Sequence, residues 1–199
     1  MEITADFIKH SKTINEGTTC YIMMHESNIT YKLYKRAVDY ILKNSEYELE
    51  ENETLNRLNY IVSKKKDVKM TDIPDDILTF KGKAVGVSLT YYSNGISLKD
   101  YLMDNKDNVD VDLIKQKIID IVNELINNGI IPTDPHLDNF LIIYKDDGSY
   151  EIKMIDVDDQ YISIYPDNKR DVWYDSEVAT CYRVLDLSFE QIYNSSRIK

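Results

Sequence analysis

At 199 residues the chain is long enough for one substantial domain or two small lobes around a cleft, and its 43% hydrophobic and 30% charged residues are those of an ordinary globule. The net charge of −11 lies entirely in the second half: residues 1–99 hold 14 Lys/Arg and 14 Asp/Glu, residues 100–199 hold 10 and 21. That distribution leaves no basic stripe for nucleic acid, whereas an acidic half suits metal ligands and a cationic acceptor. The run Lys64-Lys65-Lys66 reads as a solvated turn. Cys20 and Cys181 lack metal-ligand spacing and His10, His25 and His136 do not cluster with them, so neither zinc nor a structural disulfide is expected. The N-terminal segment MEITADFIKH lacks the basic and apolar regions of a signal peptide, and no apolar run approaches membrane-spanning length. A cytoplasmic location, in the producing cell or in a host cell, is the expectation.

In chain order, Gly17 within NEGTT separates strand-like segments over 6–12 and 18–25, and residues 29–35, alternating apolar and polar, read as a third strand. Residues 37–62 read as helix, with Leu55, Leu58 and Val62 on one face and Glu51 a turn before Leu55 on that face. Pro74 breaks the chain before a strand over 77–80, and Lys81-Gly82-Lys83 turns into an apolar strand over 84–91. A turn at Ser93-Asn94-Gly95 leads to a short helix through Leu98 and Leu102. Residues 110–128 form the clearest helix, with Ile114, Ile118, Ile121, Val122 and Leu125 as its stripe and Gly129 as its stop. Segments 140–144 and 150–155 make a hairpin about Asp146-Asp147-Gly148. One or two helices close the chain, over about 168–182 and 183–195; Trp173, within the first range, reads as a core anchor, the alternative being the lining of an acceptor site. The class is α+β, with a strand-rich part over 1–92 and a helical part over 93–199.

The chemistry concentrates in residues 129–158, GIIPTDPHLDNFLIIYKDDGSYEIKMIDVDD. One loop carries Asp134 and Asn139, and the second strand of the hairpin delivers Asp156, with Asp158 at the same strand parity. Two carboxylates and an amide so placed suit the positioning of Mg²⁺-ATP beside an acceptor hydroxyl. Phosphoryl transfer needs its metal held, its nucleophile oriented and its charge neutralised.

These residues, in this order, resemble the protein-kinase-like superfamily over nearly the whole chain, in its atypical, minimal form. The loop TDPHLDN is similar to the D-x-H loops of aminoglycoside and lipopolysaccharide-core heptose kinases, and the short length to that of small bacterial effector kinases. The resemblance implies a bilobal protein-kinase-like fold with a strand-rich N-lobe and a truncated helical C-lobe. It implies Asp134 as the group that takes or orients the acceptor proton, with His136 beside the acceptor or metal site. Asn139 and Asp156 would hold Mg²⁺, and Asp158 would share or replace Asp156. Lys32 would contact the nucleotide phosphates and Glu51 would pair with it, Lys35 and Glu53 being the rivals. Backbone groups at Gly17 and Thr18 would cover the phosphates. Thr90 and Tyr92 would offer backbone hydrogen bonds to adenine, with Leu89 and Ala84 or Val85 as apolar wall.

Two features depart from the family pattern. Gly17 stands alone where typical members have three glycines, and about forty residues follow Asp158, too few for a full lower lobe. The implied activity is transfer of the γ-phosphoryl group of ATP, with Mg²⁺, to a protein Ser/Thr or to a sugar or other small-molecule hydroxyl. The alternatives are a kinase-shaped binding module that regulates a protein partner, and nucleotidyl transfer.

Overall fold

A computed structural model describes residues 1–26, 29–43, 51–105, 107–158, 161–166 and 170–194; the side chains of Glu26 and of residues 51–53 lie outside the described set. Contacts divide the chain into two compact units, one of residues 1–65 and 73–92, the other of residues 66–72 and 93–199.

The first unit is built on a five-stranded antiparallel sheet. Helix α1 (Ala5–His10) stands where the sequence reads as a strand over 6–12. Thr4 Oγ1 accepts from Phe7 N at 3.1 Å, and Asp6 in the first turn and Lys9 and His10 in the last match the helix dipole. Those terminal interactions, together with burial of Ile8, outweigh the local β pattern. Strands β1 (Lys12–Glu16), β2 (Cys20–Glu26) and β3 (Ile29–Tyr34) follow. Helices α2 (Lys35–Lys43) and α3 (Glu51–Ser63) take the place of one helix over 37–62, with residues 44–50 outside the described set. Strands β4 (Asp76–Phe80) and β5 (Lys83–Thr90) complete the sheet in the order β1-β2-β3-β5-β4.

Two apolar clusters hold this unit together. Ala37, Val38 and Ile41 of α2 pack with Ile8, Met23, Leu33, Leu78 and Val85. Leu58 of α3 packs with Ile77, Ala84 and Val87, flanked by Leu55 and Val62, so the helical face read from the sequence is the buried one. Gly86 allows β3 and β5 to meet: a Cβ there would lie 2.1 Å from the Lys32 carbonyl oxygen and 3.0 Å from Leu33 Cα.

The second unit opens with β6 (Gly95–Ser97), α4 (Leu98–Asn105) and α5 (Val111–Asn127). Asp110 caps α5 by accepting from Leu113 N at 2.9 Å, and the helix stops at Gly129 with φ +71°. Its buried stripe includes all five residues read from the sequence. Strands β7 (Ile130–Pro132), β8 (Phe140–Tyr144), β9 (Tyr150–Met154) and β10 (Ile162–Ile164) form two small sheets, β6-β8-β9 and β10-β7. Helix α6 (Tyr174–Asn194) runs unbroken. It contains neither Gly nor Pro, and its buried residues Tyr174, Cys181, Leu185, Ser188, Phe189 and Ile192 keep helical spacing throughout.

Segment 66–72 groups by contacts with the second unit, where its backbone is bonded. Glu124 of α5 accepts from Lys69 N at 3.0 Å and Met70 N at 2.8 Å, and Asp72 N donates to the Met154 carbonyl at 2.8 Å. Trp173 is 66% exposed and anchors no core; Tyr174, one position on, is the buried aromatic, packed edge-on against Tyr165. Among the described residues no helix is long and apolar enough to cross a membrane.

Candidate functional site

The site is built by short hydrogen bonds along one loop. After β7, Thr133 donates from N and from Oγ1 to the Tyr161 carbonyl, at 2.9 and 2.8 Å. The Asp134 carbonyl accepts from His136 N at 2.9 Å and from Asn139 Nδ2 at 3.1 Å. Asn139 closes a 3₁₀ turn over Leu137–Asn139, whose Leu137 is buried. The Asn139 carbonyl then accepts from Ile155 N at 2.8 Å, which ties the loop to the end of β9 just before Asp156. Asp156 sits in left-handed backbone, φ +61°, a conformation that Asp and Asn tolerate better than other non-glycine residues.

The side chains of Asp134, His136, Asn139 and Asp156 line one solvent-open cavity of about 150 Å³, with Pro132, Met154, Tyr161 and Ile162. His136 Nε2 lies 2.7 Å from Asp134 Oδ1, and its Nδ1 lies 3.2 Å from Ser188 Oγ on α6. Donation by Asn139 Nδ2 to the Asp134 carbonyl sets the amide's orientation and leaves Oδ1 as its acceptor atom. Beside the loop, Asp138 is held by Lys99 Nζ at 2.8 Å and Ser97 Oγ at 3.4 Å, and the Asp138 carboxylate raises the Lys99 ammonium above its ordinary value.

The remaining residues singled out in the sequence fall elsewhere. Asp158, two positions after Asp156, is 1% exposed and is not one of the cavity's lining residues. Lys32 is in the middle of β3, paired with Ile22 and Val87 and 4% exposed. Its rival Lys35 begins α2, where its ammonium pairs with Glu16 at 2.6 Å and rides over the Tyr21 ring; Glu16 raises its pKa. The side chains of Glu51 and Glu53 lie outside the described set. Gly17 and Thr18 are in the exposed turn between β1 and β2, and Gly17 N–H donates within that hairpin to the Cys20 carbonyl at 2.9 Å. Thr90 ends β5 opposite Ile29, with Tyr92 just beyond, while Ala84 and Val85 are core residues of the first unit. Ser188, Tyr161 and the Lys99–Asp138 pair had no signal in the sequence, because their partners are 28 to 52 positions away.

Among the described residues no group of three His, Cys, Asp or Glu side chains is disposed to hold a metal alone. Mg²⁺ ordinarily takes one or two protein oxygen ligands and completes its shell with phosphate and water. Asn139 Oδ1 and the Asp156 carboxylate, from residues that line the same cavity, fit that donor set.

No protein-family model matches the chain, and no curated protein matches it by sequence. Solved structures do match, and the class they define is the protein-kinase-like fold: strand-rich sheet first, helical part second. The BubR1 kinase domain is one such structure, similar at a TM-score of 0.51 and 19% identity over 79% of this chain. The chain spans about half of that structure's length, 48%.

Proposed function

We propose that the chain is a Mg²⁺- and ATP-dependent kinase that phosphorylates a hydroxyl group. One observation carries this reading: Asp134, Asn139 and Asp156, spread over a loop and a hairpin, line a single cavity. The acceptor oxygen would bond to the γ-phosphorus as the bond to the β,γ-bridging oxygen breaks, ADP leaving and the acceptor proton passing to Asp134. Asn139 and Asp156 would hold Mg²⁺, which neutralises phosphate charge. Lys32 would contact the phosphates. Two carboxylates line the cavity, with no Lys or Arg among its described lining residues, which favours a neutral or cationic acceptor over a phosphorylated one. A sugar or amino-sugar hydroxyl and a Ser/Thr in a basic protein segment both meet that condition.

The test is calorimetric titration of ATP with and without Mg²⁺ on the wild type and on Asp156→Asn. Metal-dependent binding that the substitution removes supports the reading; absence of binding by folded wild type refutes it. One observation favours a second reading, a kinase-shaped binding module. The Gly17 N–H, the sole glycine amide available to a phosphate-covering loop, is spent inside its own hairpin. Folded wild type that binds no nucleotide but captures a protein partner would support that reading.

A further inference from the structure

We infer that Ser188 is a positioning residue that acts through His136 to fix the direction of the Asp134 carboxylate; its catalytic consequence rests on the kinase reading. The three side chains form one chain of contacts, Asp134 Oδ1 to His136 Nε2 at 2.7 Å and His136 Nδ1 to Ser188 Oγ at 3.2 Å. An ionised carboxylate only accepts, so Nε2 carries the ring proton and donates to Oδ1. In the neutral imidazole Nδ1 is then an acceptor, and the Ser188 hydroxyl donates to it.

Burial decides which end of this chain sets the other. Ser188 is 5% exposed, in the apolar face of α6 between Leu185 and Phe189, whereas the side chains of His136 and Asp134 are 51% and 38% exposed. Water competes for the ring at its Asp134 end and hardly at its Ser188 end. A hydroxyl so buried is costly unless bonded, and Nδ1 is the acceptor it meets. Without that bond the ring is free to turn about its χ2 axis and carry the Nε2 proton away from Asp134. With it, Oδ1 is committed to His136 and Oδ2 is left for an acceptor hydroxyl. The trio is no hydrolytic Ser-His-Asp arrangement, because a serine 5% exposed within a helix cannot present its oxygen to a substrate.

The test uses the full chain labelled with ¹⁵N-histidine, with His136 assigned by His136→Gln. In wild type the ring is expected as the Nε2-protonated tautomer, its Nδ1 resonance displaced by an accepted hydrogen bond. Ser188→Ala should move Nδ1 toward the free-acceptor position, and Ser188→Thr, which keeps the hydroxyl, should restore it. An Nδ1 resonance unmoved by Ser188→Ala overturns the contact whether or not the protein is a kinase. For the positioning role, turnover of Mg²⁺-ATP with water as acceptor should fall about 10-fold in kcat with KM unchanged in Ser188→Ala. The loss should be recovered in Ser188→Thr and absent in a His136→Gln background. A shifted Nδ1 with unchanged kcat overturns the positioning role. Wild type that turns over no ATP counts against the kinase reading, while the Nδ1 resonance still decides the contact.

Discussion

Asp156 combines the charge of the proposed metal ligand with a backbone that few residues accept, and two substitutions separate these properties. At φ +61° an ordinary L-residue carries a clash between Cβ and backbone worth about 1–2 kcal/mol, which Asp and Asn partly escape through local hydrogen bonding. Asp156→Asn and Asp156→Ala both delete the charge, so the loss of that charge is common to the two. They differ chiefly in backbone preference, and Ala should be less stable than Asn by about 1 kcal/mol. For a chain of this size that is roughly 2–4 °C in melting temperature. Thermal melts of the two variants side by side read the backbone term, and calorimetry with Mg²⁺-ATP reads the ligand term, which both should lose. Equal melting temperatures for Asn and Ala would refute the backbone reasoning. Metal-dependent ATP binding by Asp156→Asn would refute the ligand assignment.

Asp134→Asn keeps the shape of the side chain but not its basicity; turnover should drop by about 10²-fold or more, with ATP affinity little changed in the same calorimetric titration. Gly86→Ala forces a Cβ onto the Lys32 carbonyl and should destabilise the protein by about 1–3 kcal/mol, read from urea unfolding. Burial pushes the Cys181 thiol from 9.0 up to about 12. Between those values the unfolded chain has lost that proton and the folded chain keeps it, so stability should fall as pH rises, by at most about 1.4 kcal/mol per pH unit from this group. Urea unfolding from pH 8 to 11 should show a shallower decline in Cys181→Ala; identical slopes would refute the assignment.

Much of the fold was legible because it rests on local pattern. The stripe of α5, the hairpin about Asp147-Gly148 and the apolar run of β5 each declare themselves within a few residues. Asp134, Asn139 and Asp156 were legible for the same reason, since loop and hairpin lie within one stretch of chain. Local pattern failed where tertiary or terminal interactions decide. Thr4 turns residues 5–10 into a helix, the capture of 66–72 by Glu124 is a contact across more than fifty positions, and Trp173 is exposed because the core takes its neighbour Tyr174. Ser188 was invisible for want of any motif: a serine in an amphipathic helix has no signature until the fold brings a histidine to it.

The capture of residues 66–72 by Glu124 and Met154 has a consequence for synthesis and dissection. The first unit is interrupted in sequence: Lys69 and Met70 emerge from the ribosome more than fifty positions ahead of the glutamate that receives their amides. Until α5 is made, those amides have only water as partner, and the first unit is left with an unfilled tether. A cut at residue 92 therefore separates donors from acceptors: the piece 1–92 carries away the Lys69, Met70 and Asp72 amides, and the piece 93–199 keeps Glu124 and the Met154 carbonyl. Split-fragment reassembly should be more efficient when residues 66–72 stay on the same fragment as Glu124 than after a cut at residue 92.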